Sequence, residues 1–218
     1  MKKIGHYLFY LMEIVVVFAL YNTLQYFYFY PNIFDFGQAE SFILALSTVL
    51  VFWMAFLLYK GQLEDKNEWG FNEAPHWRWH KVLVAFAGFF LMQLLYIAIM
   101  SAIGGGISQN QQNLNDLQET AGPTYKIMVA AIAPICEETI FRGMFFNLLF
   151  SHASQLNKWI GILASGFFFA FAHNPFWSPY LIVYWMMGSV LAWVYMTTKD
   201  LRYSMMTHIM WNLLSLIG

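Results

Sequence analysis

Long apolar runs alternate with short polar connections along this chain. The apolar runs cover residues 7–28, 41–59, 82–103, 125–150, 159–172, 180–197 and 204–217. A helix rises about 1.5 Å per residue and needs roughly 20 apolar residues to cross a bilayer core, so most of these runs are long enough for a crossing. The connections carry the Gly, Pro, Asn and charged residues that are typical of loops. The pattern predicts an all-α, polytopic membrane protein with about seven transmembrane helices.

Composition supports this prediction and excludes other classes. Of the 218 residues, 60% are hydrophobic and only 11% are charged, which leaves no room for a large soluble domain. The formal net charge is −1, so the chain lacks the basic surface that nucleic acid binding usually requires. Cys136 is the single cysteine. No intramolecular disulfide is therefore possible, and we expect Cys136 to be packed as a small apolar residue.

The charged residues of the connections predict an orientation. If the helices alternate in direction, one side of the membrane holds Lys2, Lys3, Lys60, Lys66, Arg78, Lys81, Lys158, Lys199 and Arg202. The other side holds Asp35, Glu40, Asp116 and Glu119. Because short cytoplasmic loops are enriched in Lys and Arg, we expect a cytoplasmic N-terminus. The compact length of the chain favours a bacterial plasma membrane.

Six ionisable side chains lie inside the predicted helices, where such groups are rare and usually face the bundle interior, and the neutral Asn212 joins them. The ionisable residues are Glu13, Glu137, Glu138, Arg142, His173 and His208. All but Glu13, which we interpret as structural, belong to the last four helices. We therefore predict that residues 1–124 form a scaffold of transmembrane helices and loops, and that residues 125–218 form a catalytic core within one integral membrane domain.

Helical spacing separates the two adjacent glutamates. Each residue turns about 100°, so Glu138 and Arg142, four positions apart, nearly share a face and are predicted to form an ion pair. Glu137 lies about 140° around the helix from Arg142. It is therefore free to contact another helix, and a carboxylate in such a place is suited to general base catalysis. Pro134 predicts a local kink.

Two later segments supply further polar groups. The segment "FAFAHNP" ends the fifth predicted helix with His173 before an Asn-Pro pair, and "HIMWN" places His208 and Asn212 four residues apart on one face of the last helix. A single buried histidine is more often an interhelical hydrogen-bonding residue than a catalyst. The occurrence of the two glutamates, Arg142, the two histidines and Asn212 together on three nearby helices is what favours a catalytic site.

These segments resemble a known family. "EETIFR" fits E-E-x-x-x-R, "FAFAH" fits F-x-x-x-H and "HIMWN" fits H-x-x-x-N, in the order found in the CPBP family of intramembrane proteases, which is also called the CAAX protease, bacteriocin-processing or Abi family. The resemblance covers residues 125–217. It implies a glutamic endopeptidase in which Glu137 and His173 activate water, His208 and Asn212 form the oxyanion hole, and Glu138 and Arg142 hold the site together.

Alternatives remain open at this stage. Glu137, His173 and His208 could instead bind zinc, although no H-E-x-x-H motif is present and we favour a site without cofactor or metal. The fold could also serve as a non-catalytic binding, immunity or regulatory protein. Membrane lipid and a peptide or lipidated protein are the expected partners. From helix lengths we expect the site to open toward the cytoplasm.

Overall fold

Helices make up the regular structure of the described part of the chain. The computed structural model describes residues 2–33, 37–73 and 76–217. In these ranges there are eight helices: α1 (Lys2–Phe29), α2 (Glu40–Asp65), α3 (Trp79–Ala102), α4 (Gln109–Ala121), α5 (123–150), α6 (Gln155–His173), α7 (Pro179–Thr198) and α8 (Leu201–Ser215). Short 3-10 turns at Pro31–Ile33 and Gly37–Ala39 connect α1 to α2. The predicted all-α class is confirmed. Asp35, used in the orientation prediction, lies outside the described residues.

Four helical stretches in the described ranges are long and apolar enough to cross a membrane. They are Gly5–Phe29, Gly37–Asp65, Trp79–Ala102 and Pro179–Thr198. The chain is thus an integral membrane protein, but the predicted count of seven crossings is not confirmed. Helix α8 shows why, because its 15 residues extend only about 23 Å, less than a bilayer core of about 30 Å.

Helix α4 corrects the sequence analysis, which interpreted residues 104–124 as a loop. Ser108 caps this helix, since its hydroxyl accepts a hydrogen bond from the backbone N–H of Gln111 at 3.1 Å. Gly122, at φ +61°, ends it. The helix is almost entirely polar, so it lacks the apolar periodicity by which helices are detected. Its apolar contacts with the bundle come from Leu114, Leu117 and Ala121.

Helix α5 is the central element, and two wide π-type turns interrupt its course. These turns, Met128–Ile132 and Thr139–Met144, flank the α-helical segment Ala133–Glu138 that carries both glutamates. Pro134 has no N–H to donate to the preceding turn, and the first wide turn lies directly before it. From 136 to 144 every residue of α5 is buried. Its polar side chains therefore face other helices and not lipid.

Helices α6 and α7 pack closely through glycine. A Cβ atom added to Gly188 would lie 2.8 Å from both Cα and the carbonyl oxygen of Gly166. Only small residues allow two helix backbones to approach this far, as is common in membrane proteins. The contact fixes the position of α7, and with it the carbonyl of Gly188, next to α5.

The basic connections meet at one end of the bundle. Trp69 donates a hydrogen bond to the carbonyl of Phe150 at 2.6 Å, and the N–H of Asn72 donates to the carbonyl of Lys199 at 2.8 Å. The α2–α3, α5–α6 and α7–α8 connections are therefore neighbours. Helix α4 lies at the opposite end, where the hydroxyl of Thr124 donates to the carbonyl of Tyr28 at 2.8 Å. We call these the basic end and the α4 end.

Candidate active site

Glu138 and Arg142 form a fully buried ion pair within α5. The Nη1 atom of Arg142 lies 3.0 Å from Oε1 of Glu138, and neither side chain is exposed. The other terminal nitrogen of Arg142 donates to the carbonyl of Gly188 at 2.9 Å, and the guanidinium lies over the ring of Phe169, 4.5 Å from its centroid. The predicted pair thus also ties α5 to α7 and α6.

Glu138 has a second partner that sequence spacing did not indicate. The Nδ1 atom of His208 lies 3.0 Å from the same Oε1 atom of Glu138. A carboxylate oxygen accepts, so we assign the ring proton of His208 to Nδ1. Glu138 therefore orients an imidazole of α8 while it compensates the charge of Arg142.

Glu137 points away from this pair and meets three other helices. Its Oε1 atom accepts a hydrogen bond from the hydroxyl of Tyr21 on α1 at 2.5 Å. Its Oε2 atom lies 3.6 Å from Nε2 of His173 on α6 and 3.7 Å from Nε2 of His208 on α8. These two distances exceed a direct hydrogen bond, and all three residues line one cavity. The structure thus brings together Glu137, His173 and His208.

The two imidazoles present equivalent atoms to Glu137. His173 donates through Nδ1 to the carbonyl of Phe169 at 2.9 Å, since a carbonyl only accepts. In both rings Nδ1 then carries the proton of the neutral form, and both Nε2 atoms face Oε2 of Glu137 as lone pairs. One additional proton on any of these three atoms can be donated to another, which leaves the third as an acceptor for water. The cluster is suited to moving a proton.

Asn212 lies one helical turn beyond His208 and contacts α5. Its side-chain amide donates one N–H to the carbonyl of Val129, in the first wide turn, at 2.8 Å. A second N–H of the same amide remains for another acceptor. Asn212 and His208 both line the cavity described next. All six residues singled out in the last four helices therefore assemble at one place.

A cavity of about 130 Å³ borders this cluster and extends to the α4 end. One wall carries Glu137, His173, His208 and Asn212. The lining also includes the amide side chains of Gln25, Asn110, Gln111 and Gln118. Since α4 lies opposite the basic end, the expected cytoplasmic opening and the expected cytoplasmic N-terminus are incompatible.

The helix lengths show how the two histidines reach one carboxylate. Straight helices with level ends would not bring His173 and His208 to the same depth, yet both reach Glu137. His173 is the last residue of α6, whereas His208 is near the middle of α8. Asp200, the N-cap of α8, is 1% exposed. Helix α8 thus begins inside the protein, which brings its histidine toward the α4 end.

Three residues of the site were missed by the sequence analysis. Tyr21 contacts Glu137, and Gln25 donates to the hydroxyl of Tyr21 at 2.8 Å, so α1 contributes to the site and is more than scaffold. Tyr184 of α7 stacks on His173 with ring centroids 5.3 Å apart. Tyrosines are common in membrane helices as interfacial anchors, so the sequence did not distinguish Tyr21 and Tyr184 from such anchors. The spacing of Tyr21 and Gln25, four apart on one face, was the available signal.

The remaining polar candidates lie elsewhere. Glu13 accepts a hydrogen bond from the buried side chain of Gln62 at 2.9 Å, which agrees with a structural interpretation. Cys136 is 1% exposed and packs in the main apolar core. In the described residues, no group of three or more His, Cys, Asp or Glu side chains has an arrangement suited to holding a metal ion.

Comparison with known proteins yields one family and several bacterial relatives. Residues 122–214 match the family described as type II CAAX prenyl endopeptidase Rce1-like. The membrane-embedded CAAX protease MroQ of Staphylococcus aureus is 29% identical over 136 residues, which are 60% of this chain and 53% of MroQ. The UPF0177 protein YvdC of Lactococcus lactis is 26% identical over 138 residues, 63% of this chain and 51% of YvdC. No solved structure matches the chain significantly.

The match and the geometry concern the same residues. The chain spans about half the length of the curated relatives it matches. The matched residues contain Glu137, His173, His208 and Asn212, which the structure brings to one cavity. Residues 122–214, under half of the chain, are thus similar to the CAAX-protease-like membrane proteins of this family.

Proposed function

We propose that this protein is an intramembrane endopeptidase that hydrolyses a peptide bond of a membrane-associated protein or peptide. The observation that carries the proposal is the Glu137 carboxylate, which presents one oxygen to the Nε2 atoms of His173 and His208 inside a cavity. The name of MroQ, a membrane-embedded CAAX protease, supports the same reaction class.

In the proposed reaction, Glu137 acts as the general base. Its Oε2 atom, assisted by His173, takes a proton from water while the water oxygen attacks the carbonyl carbon of the peptide bond. The carbonyl π bond opens to an oxyanion. Collapse of this intermediate breaks the C–N bond, and the proton held by Glu137 passes to the leaving amine. The products are a carboxylic acid and an amine, so the reaction needs no group beyond water.

His208 and Asn212 are the proposed oxyanion hole. Asn212 keeps one N–H after its bond to Val129, and His208 donates through Nε2 when its ring carries both protons. When His208 carries the additional proton of the cluster, Glu137 stays ionised. A general base must be ionised in order to accept a proton from water. Fixed donors of this kind contribute about 3–4 kcal/mol each to lowering a barrier.

The cavity favours a polypeptide as substrate. Asn110, Gln111 and Gln118 line the cavity with amide side chains, which donate and accept as a peptide backbone does. The cavity wall contains no Lys or Arg side chain among the described residues. We therefore propose that substrate is recognised through its main chain, either from a peptide precursor or from a lipidated protein, at the surface of a bacterial plasma membrane.

A zinc-dependent protease is the second candidate. The bond between Nδ1 of His208 and Glu138 resembles the carboxylate–histidine pairs that commonly support zinc ligands. Glu137, His173 and His208 would be the ligands. We propose the metal-free reaction because the chain has no H-E-x-x-H motif and the three groups come from three separate helices. Loss of cleavage in a strong chelator, restored by added zinc and not by magnesium, would favour the zinc enzyme.

The test compares purified protein with its Glu137→Gln variant on internally quenched peptides, with and without a thioether-linked prenyl chain. We expect the variant to lose at least about a thousandfold in kcat, because the base is removed while shape is retained. Glu13→Gln is the matched control, since Glu13 is a carboxylate within the spanning helix Gly5–Phe29 and lies outside the cavity. Equal cleavage by the protein and the Glu137 variant would contradict the proposal.

A non-catalytic protein on this fold gives a different result. Neither the protein nor its variants would cleave any peptide of the panel, and a cellular phenotype would survive Glu137→Gln. That outcome would replace hydrolysis with docking as the function of the cavity.

A further inference from the structure

Tyr21 belongs to α1, a helix outside the family match at 122–214. Its side chain is 3% exposed in a segment of mostly apolar residues, and its hydroxyl lies 2.5 Å from Oε1 of Glu137. Tyr21 and Glu137 are 116 positions apart in the sequence. The folded bundle therefore brings a buried hydroxyl from the N-terminal helix to the group that we propose as the base.

The direction of this hydrogen bond is fixed by a second contact. The side-chain amide nitrogen of Gln25 lies 2.8 Å from the hydroxyl oxygen of Tyr21. An amide N–H can only donate, so the oxygen of Tyr21 accepts from Gln25 and its own proton goes to Glu137. This arrangement leaves Oε1 of Glu137 as an acceptor from a neutral phenol.

The two oxygens of Glu137 are consequently different. Oε1 is occupied by Tyr21, whereas Oε2 faces Nε2 of His173 and Nε2 of His208 at 3.6 and 3.7 Å. A carboxylate without such a contact can rotate about its terminal bond, and either oxygen can turn toward the imidazoles. A rotation that breaks the contact with Tyr21 would also change the distance between the base and its water.

We propose that Tyr21 is a positioning residue for the hydrolytic reaction: it holds Oε1 of Glu137 so that Oε2 alone accepts the proton of the attacking water. Gln25 keeps the phenol in this orientation and also lines the cavity. The inference rests on the proposed function, since it assigns Tyr21 a role only if Glu137 acts as the base.

The experiment measures kcat and KM of Tyr21→Phe with the peptides that the unmodified protein cleaves. Phenylalanine keeps the ring and removes the hydroxyl. We expect kcat to fall about 10–100-fold, as for loss of a hydrogen bond to a charged group, with KM unchanged within about twofold. The kcat–pH profile should also change shape, because the hydroxyl contacts the titrating carboxylate.

Tyr28→Phe is the matched control. Tyr28 lies on the same helix, is 6% exposed, and forms a hydrogen bond with the hydroxyl of Thr48 at 2.9 Å, outside the cavity. We expect its kcat and pH profile to equal those of the unmodified protein. An equal loss of kcat in both variants would indicate a structural role for both tyrosines and would overturn the inference.

Two further results keep the inference separate from folding and from the proposed function. If Tyr21→Phe lowers the thermal midpoint of unfolding, Gln25→Met becomes the test of the positioning role, because it leaves Tyr21 in place. Unchanged kcat and an unchanged pH profile in Gln25→Met would overturn the inference. If Glu137→Gln is inactive while Tyr21→Phe is fully active with an unaltered profile, the positioning role alone fails. Full activity of Glu137→Gln would instead remove the proposed function.

Discussion

Two ion pairs with the same four-residue spacing have opposite environments in this protein. Glu138–Arg142 is fully buried at 3.0 Å, whereas Lys60–Glu64 is more than half exposed at 3.3 Å. Exposed pairs contribute little because water and salt screen them. A buried pair is different, because removal of one partner leaves an uncompensated charge in a medium that solvates it poorly. The contribution of an ion pair with this spacing to stability therefore depends on its burial, and only the fold determines burial.

Replacement of Arg142 by Met should strongly destabilise the protein. We expect a loss of about 3–5 kcal/mol in the free energy of unfolding, since Glu138 would keep its buried charge with only His208 beside it. The equivalent exposed replacement, Lys60→Met, should change stability by less than about 1 kcal/mol. Denaturant unfolding in detergent micelles measures both. Similar effects for the two variants would contradict the importance of burial.

The adjacent residues Glu137 and Glu138 show how much helical spacing alone can predict. Helical rotation separated Glu137 from Glu138, and the structure does place them toward different partners. Spacing along α5 could not indicate that Glu138 would also bind His208 or that Glu137 would accept from Tyr21. Both partners come from other helices, and nothing local to α5 specifies which helix lies on which side.

At the scale of elements, α5 and α4 depart most from the expected pattern. The two wide turns of α5 rotate the following residues relative to a regular helix, and such turns are frequent at functional sites. Val129, in the first of them, accepts from Asn212. Helix α4 joins the site through Tyr184, whose hydroxyl is bonded to Ser108 at 2.8 Å and whose ring stacks on His173. A polar helix thus supports the imidazole of His173 through Tyr184.

The contact between α6 and α7 leads to a prediction for Gly188. Its replacement by Ala would place a methyl group 2.8 Å from the backbone of Gly166, so the helices must separate. We expect a loss of about 1–3 kcal/mol, which is typical of overpacking. The carbonyl of Gly188, which accepts from Arg142, would move as well.

Gly61→Ala provides the control for that measurement. Gly61 lies inside α2, and an added Cβ would meet nothing within 4 Å. We expect unchanged stability or a gain of up to about 1 kcal/mol, because Ala favours a helix more than Gly does. Thermal unfolding of both variants gives the comparison, and equal behaviour would mean that the α6–α7 contact is not close.

For the whole molecule, the distribution of charge and the position of the cavity predict a topology. The basic connections meet at one end and the cavity extends to the other. If the basic end is cytoplasmic, a membrane-impermeant maleimide added to intact cells should label Gln111→Cys and spare Lys158→Cys. Cys136 is replaced by Ala in both variants, which removes the native thiol. This result would place the opening on the outer side.

The opposite labelling pattern would reverse the topology. Labelling of Lys158→Cys alone would put the N-terminus outside and the cavity opening at the cytoplasm, and the positive-inside expectation would be wrong for this chain. Residues 111 and 158 lie before and after α5, at opposite ends of the bundle. Labelling of both from outside would therefore contradict the arrangement of α5 in the membrane.

The sequence by itself determined the class of protein and the chemical groups of the site. Apolar runs specify membrane helices because backbone polar groups must be paired within lipid, and that requirement is local. Charged residues within such runs stand out because they are costly there, so Glu137, Glu138, Arg142, His173 and His208 could be selected without a structure. Three short motifs then indicated the family.

Only the tertiary structure decided the partners, the depth and the opening of the site. Tyr21 and Gln25 became site residues because α1 packs beside α5, and α8 brings His208 level with His173 because it begins inside the protein. The cavity lies at the α4 end because a polar helix closes the bundle there. These features depend on contacts between residues that are distant in sequence. No local sequence pattern encodes the free energies of such contacts.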